Sequence, residues 1–135
     1  MFCFLVNISY ILKLVSASID ILSSFKYAMA GLKAAIKKEP NFRIHLLIAC
    51  ATLITAAILG FTKVEWLLLT FTITFVLLLE LINTTLESIV DMVSPKLSEK
   101  ARIAKDVSAA AVLLSAILAV IVGLTLFIPK ILARP

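Results

Sequence analysis

The chain has 135 residues, of which 62% are hydrophobic and 16% charged, with a formal net charge of +5 and a mean hydropathy of +1.14. Soluble domains are about 45–50% apolar and about 25% charged, so the composition excludes a disordered chain, a collagen-like chain and a disulfide scaffold. So short a chain has no interior large enough to hide this much apolar surface from water, which leaves an integral membrane protein of one domain. The positive residues sit beside apolar runs and form no patch interleaved with aromatics, so nucleic acid is not the expected partner.

Residues 1–22 read as an N-terminal extension and 23–135 as the membrane domain. Met1–Leu12 is apolar but short, and no basic residue precedes it, so it is expected to lie in the membrane interface and not to act as a signal peptide. Cys3 and Cys50 have no metal-ligand spacing, and Cys50, inside an apolar run, reads as a small buried hydrophobe.

Within residues 24–38, Phe25, Met29, Leu32 and Ile36 recur at i, i+4, i+7 and i+11 and form one apolar stripe of a helix. Lys26, Lys33 and Lys37 form a basic stripe beside it. Such a helix is expected to lie on the membrane surface, its lysines reaching up to the headgroups.

Three runs that follow are long enough to cross a bilayer, about 42–61, 64–86 and 107–128. Trp66 sits near the start of the second, where an interfacial aromatic belongs, and Pro129 and Lys130 are expected to close the third. The fold class is therefore an all-α membrane protein, an amphipathic surface helix plus three transmembrane helices. Lys13, Lys26, Lys33, Lys37, Lys38 and Arg43 precede the first span, and Lys96, Lys100, Arg102 and Lys105 lie between the second and third. The turn between the first two holds only Lys63, and the tail only Lys130 and Arg134. This asymmetry predicts a multi-pass protein with its N-terminus and second connection in the cytoplasm.

The second span ends in polar residues that hydropathy alone does not explain. Glu80, Asn83, Glu87 and Asp91 recur at i, i+3, i+7 and i+11. On a helix they stay within a sector of roughly 80° along about 16 Å of axis. Asp91, and Glu87 with it, could be a solvated face in the headgroup region. Glu80 is harder to dismiss, because it follows an uncharged run from Trp66 to Leu79. A charged acid at a span's centre costs about 2.5–3.5 kcal/mol on insertion scales, so an intramembrane carboxylate is a functional candidate by default.

Two further polar stretches fall on the same predicted side: Glu39 to His45, including Arg43, and Arg102 to Asp106, including Lys105. Clustered carboxylates suit Mg²⁺, which is commonly held by one or two of them together with phosphate oxygens. A nearby lysine suits phosphate, so the set points to phosphoryl transfer. The chain contains neither G-x-x-x-x-G-K-[ST] nor a kinase Gly-rich loop. A lone histidine at a span's mouth, such as His45, is more often a hydrogen-bonded interfacial residue than a ligand. Thr70, Thr72, Thr74, Thr84 and Thr85 are expected to serve helix packing.

These residues resemble the small prokaryotic integral-membrane lipid kinases, the diacylglycerol kinase and undecaprenol kinase family. The resemblance rests on Gly31-Leu32-Lys33-Ala34-Ala35, Glu39 to His45, the stripe from Glu80 to Asp91, and Ala104-Lys105-Asp106 before an alanine-rich span, and covers about 24–130. It implies a homotrimer with active sites shared between neighbouring subunits, in the bacterial inner membrane. It assigns Glu80 as general base on the lipid hydroxyl, with Asn83 one turn away to position it. It assigns Glu39 and Glu87 to the Mg²⁺ that accompanies ATP. Lys105 and Asp106, with Tyr27, fall to the nucleotide site, and Arg43, His45 and Asp91 are possible supports. The Asn41-Phe42-Arg43-Ile44-His45 version looks like the Gram-positive branch, whose members often prefer undecaprenol; some members have glutamate where His45 stands. Ser98 stands where histidine is common, and Ser108 where some relatives have glycine.

The leading expectation is thus an ATP- and Mg²⁺-dependent kinase that converts undecaprenol to undecaprenyl phosphate. The alternative acceptor is diacylglycerol, giving phosphatidic acid. A non-enzymatic membrane scaffold is the alternative of another class, but it needs neither Glu80 so deep nor Lys105 and Asp106 beside it.

Overall fold

The structure is a computed structural model that describes residues 21–96 and 98–133. The interfacial extension expected before residue 21 lies outside the described residues. Every described element is a helix: α1 (Ile21–Lys38), α2 (Pro40–Ile58), α3 (Lys63–Val93) and α4 (Glu99–Leu132). The chain divides into two compact units between Ala34 and Ala35.

In the first unit, α1 keeps Phe25, Met29 and Leu32 exposed. The helix ends on Lys37 and Lys38, where positive charge suits its C-terminal dipole.

The second unit is a three-helix bundle. α2 opens with Pro40, whose fixed φ and missing N–H fit the first helical position. It closes in a Schellman motif: the Gly60 N–H donates to the Ala57 carbonyl and the Phe61 N–H to that of Ala56, both at 3.3 Å. Gly60 adopts φ 67°, the left-handed conformation this motif requires. Thr62 and Glu65 then form a reciprocal capping box that starts α3. Pro95 follows the C-cap Ser94 of α3, and the Ser98 hydroxyl accepts from the Ala101 N–H at 3.2 Å to start α4.

α2, α3 and α4 are all long and apolar enough to cross a membrane. The 19 residues of α2 rise about 28 Å, close to the hydrocarbon thickness of about 30 Å. The 31 residues of α3 and 34 of α4 rise about 46 and 51 Å, so both exceed it. The second and third spans read from hydropathy cover only the most apolar stretch of each helix, about 64–86 and 107–128. The helices continue because their backbone hydrogen bonds do not depend on side-chain polarity. Pro129 does not close α4, which runs three residues further. A proline this near the end removes only one backbone bond, and Lys130 is anchored 3.0 Å from Glu65.

The buried positions repeat every seven residues on each helix: Phe42, Ala49 and Ala56 on α2; Leu69, Val76 and Asn83 on α3; Ala101, Ser108 and Ser115 on α4. A seven-residue period packs helices at the shallow left-handed crossing of coiled coils, and small residues let the backbones approach. Most other large apolar side chains, such as Leu47, Leu67 and Leu114, are exposed. Cys50 is exposed too, a correction to its expected burial. Three thin helices bury only one seam each, so most positions of a span face outward, where lipid replaces a protein core. Thr70, Thr72 and Thr85 satisfy their hydroxyls on their own helix, each donating to the carbonyl four residues back.

At the end holding the α2–α3 turn, Phe61 joins Ala56 and Leu69 in a buried cluster. Its ring lies 4.8 Å from that of Phe127 and 6.2 Å from that of Trp66. Lys130 Nζ stands 5.8 Å above it.

Candidate active site

At the opposite end of the bundle α2 begins, α3 runs through its acidic stripe and α4 starts. Glu39 is the N-cap of α2, yet its side chain makes no capping hydrogen bond, so the carboxylate is free for other work. The backbone there is fixed by the Glu39 N–H donating to the Ala35 carbonyl at 2.9 Å.

Glu80 is the most buried acid among the described residues, 2% exposed. Among the described residues nothing hydrogen-bonds its carboxylate. His45, Glu87 and Glu39 surround it closely enough to act on its charge. Its oxygens are not sealed in, because no fully buried side-chain nitrogen or oxygen among the described residues lacks a partner.

Asn83, 7% exposed, bridges two helices. Its Nδ2 donates to Glu87 Oε1 at 3.1 Å, and its Oδ1 accepts from Ser108 Oγ at 2.6 Å. The expectation for Asn83 was support of Glu80; the bonds it makes here go to Glu87 and Ser108. Lys105 Nζ lies 3.0 Å from Asp91 Oδ1 and 3.3 Å from Oδ2, tying α4 to α3. Asp106 accepts from Arg102 Nη1 at 3.0 Å, so Lys105 and Asp106 are adjacent in sequence but partnered apart. Arg102 also holds Glu99 at 2.7 Å. Arg43 is exposed on α2, one turn after Glu39. Tyr27 is exposed on α1, in the other unit.

The structure therefore gathers Glu39, His45, Glu80, Asn83 and Glu87 in one neighbourhood, with the Asp91–Lys105 pair further along α3. No group of three or more His, Cys, Asp or Glu side chains among the described residues is placed to hold a metal ion. Glu39 and Glu87 are hard oxygen donors of the kind Mg²⁺ takes one or two at a time, together with waters and phosphate oxygens. Next to this polar end lies a nearly apolar cavity of about 380 Å³ between α2, α3 and α4. Thr52, Leu69, Val76 and Gly123 line it, and His45 is its one ionisable wall.

Ser108 is read from the sequence only as a departure from relatives that have glycine there, not as a site residue; the signal that places it in the site is its seven-residue spacing from Ala101 and Ser115 on the buried seam.

The family model for prokaryotic diacylglycerol kinase matches residues 26–127. A diacylglycerol kinase of Synechocystis sp. is 44% identical over 115 residues, 84% of this chain and 66% of that protein. The undecaprenol kinase of Bacillus subtilis is 36% identical over 108 residues, 80% of this chain and 88% of that protein. A diacylglycerol kinase of Haemophilus influenzae is 35% identical over 95 residues, 70% of this chain and 80% of that protein. The matched stretch thus falls just short of two thirds of the Synechocystis protein and covers most of the other two. Together with the three spans, these findings define a class of multi-pass membrane proteins whose named relatives are lipid kinases. The chain belongs to the prokaryotic diacylglycerol kinase family.

Proposed function

We propose that the chain transfers the γ-phosphoryl group of ATP to the hydroxyl of a membrane lipid alcohol, with undecaprenol as acceptor. The observation that carries the transfer step is Glu80: a carboxylate buried in a hydrophobic helix, without a hydrogen bond among the described residues, and within electrostatic reach of two more carboxylates. Glu80 takes the proton of the acceptor hydroxyl as its oxygen bonds to the γ-phosphorus. The bond from that phosphorus to the β–γ bridging oxygen breaks, and ADP leaves. Glu39 and Glu87 would hold Mg²⁺, which when bound would neutralise phosphate charge. Glu80 and Glu87 are separated by about 10.5 Å of helix rise, so one can serve the alcohol and the other the nucleotide. Lys105, with Asp106 beside it in sequence, lies on the α4 side to meet the phosphates once it leaves Asp91. The apolar cavity beginning at His45 gives the hydrocarbon next to the alcohol a place to lie.

The choice of undecaprenol rests on the Asn41-to-His45 pattern and on the similarity to the B. subtilis undecaprenol kinase. Diacylglycerol is the second reading, favoured by the higher identity to the Synechocystis diacylglycerol kinase. The reading includes a homotrimer in the inner membrane, α1 on its surface and the site facing the cytoplasm. The lysine and arginine asymmetry supports that orientation, and exposed apolar faces such as those of Leu67 and Leu114 give copies a surface on which to meet.

Purified protein in lipid nanodiscs, supplied with Mg-ATP and either undecaprenol or diacylglycerol, tests both levels. Faster phosphorylation of undecaprenol supports the proposal, and faster phosphorylation of diacylglycerol replaces it with the second reading. No transfer to either alcohol overturns the kinase reading and leaves the scaffold.

A further inference from the structure

We infer that Ser108 is a positioning residue for Glu87 and acts through Asn83. The inference rests on the reading of Glu87 as a holder of the nucleotide's metal ion.

An asparagine amide has two faces, one accepting and one donating, and in a buried site its neighbours decide which way it turns. Ser108 and Asn83 are 8% and 7% exposed, so water cannot stand in freely for either. The Ser108 hydroxyl has one proton and two acceptors in reach, Asn83 Oδ1 at 2.6 Å and the Lys105 carbonyl at 2.9 Å on its own helix. The shorter contact goes across to α3. Once Oδ1 is committed to Ser108, Nδ2 must face the other way, and it donates to Glu87 Oε1 at 3.1 Å. The reversed amide would set two oxygens against each other at Glu87, so the acceptor-only carboxylate fixes which way the amide turns, and the Ser108 hydroxyl anchors the amide from the other side. Ser108 therefore anchors the Asn83 side chain from α4 in the place where its amide holds Glu87 by one oxygen.

Asn83 and Ser108 occupy corresponding places in the repeating seams of α3 and α4. The bond is thus made where the helices touch, and a serine is small enough for that contact. Ser115, one repeat further along α4, provides a contrast, since its hydroxyl is buried but donates to the Val112 carbonyl of its own helix at 2.7 Å. Serines at both positions suit a small-residue seam, but only Ser108 reaches across to a residue that touches a carboxylate. Groups that orient a metal ligand typically change metal affinity 10–100-fold when removed. Neither proline nor glycine could replace the hydroxyl, and alanine would keep the helix while removing the bond.

The test is Mn²⁺ affinity, read by electron paramagnetic resonance on detergent-solubilised protein with a non-hydrolysable ATP analogue, alongside the Mg²⁺ dependence of phosphorylation. Ser108→Ala is expected to weaken Mn²⁺ binding about tenfold and to raise the half-saturating Mg²⁺ concentration by the same factor, with kcat at saturating Mg²⁺ little changed. Ser108→Cys, similar in size but a weaker donor, is expected to fall between and serves if the alanine variant does not fold. Ser115→Ala is expected to match the unsubstituted protein. In an Asn83→Ala background, adding Ser108→Ala is expected to do nothing further, because the connection is already cut. Wild-type affinity in folded Ser108→Ala or Ser108→Cys overturns the inference, as does a full Ser108→Ala effect without Asn83. If the unsubstituted protein neither binds Mn²⁺ with the analogue nor phosphorylates a lipid alcohol, the kinase reading itself falls and takes the inference with it.

Discussion

At the end of the bundle where α2 turns into α3, charge is met by charge: Glu65 faces Lys130 at 3.0 Å, and Lys130 covers the Phe61 ring. At the end where α2 begins, Glu80 is more deeply buried than Glu65, yet nothing among the described residues hydrogen-bonds it, and the charges that act on it include two further acids. Both ends sit on the same three helices, so the contrast is not one of scaffold. Glu65 is tied to a cation, whereas the Glu80 carboxylate is held at a mostly buried position with its oxygens still reachable. The closed end ties the bundle together; the open end leaves a carboxylate available, as the proposed role of Glu80 requires.

Substitutions should separate the two ends. The largest effect is expected for Glu80→Gln, which keeps shape and burial but removes the base: phosphoryl transfer should fall about 10³-fold with thermal unfolding in detergent unchanged. Unaltered transfer would remove Glu80 from the mechanism. Glu87→Gln should follow, raising the half-saturating Mg²⁺ concentration about 100-fold, measured by initial rates across a Mg²⁺ titration.

At the closed end the signature reverses. Phe61→Ala should lower stability by about 2 kcal/mol, read by denaturant unfolding, while molecules that remain folded keep their KM values. That figure lies below the range for soluble cores because acyl chains solvate much of this bundle. Lys105→Met should raise KM for ATP about tenfold through loss of one charge-assisted contact. The smallest change is expected for Asp91→Asn. Its pair with Lys105 is largely exposed, so stability should move by no more than about 1 kcal/mol. KM for ATP should fall if Asp91 competes with phosphate for Lys105.

The four helices were legible because apolar length and the period of Phe25, Met29, Leu32 and Ile36 are local properties. Their ends were less so. Hydropathy ends the span at residue 86, just before Glu87, whereas the helix stops only at Ser94 and Pro95, a signal also present in the sequence, as is the capping box of Thr62 and Glu65. The carboxylates on one face of α3 could be read from spacing alone. That Asn83 meets Ser108, or that Lys105 turns to Asp91 and not to its neighbour Asp106, depends on the rotation of α4 against α3. No single helix encodes that rotation; the seven-residue seam does, and it appears only when the helices are compared.

That seam also limits how the protein could be resized. Each repeat adds about 10.5 Å of rise, about a third of the hydrocarbon layer, and any insertion other than a whole repeat turns everything beyond it. One extra residue between Ser108 and Ser115 would swing the rest of α4 by about 100° and part Lys130 from Glu65. Lineages living in thicker or thinner bilayers would therefore be expected to adjust by tilting these helices, and to preserve their length.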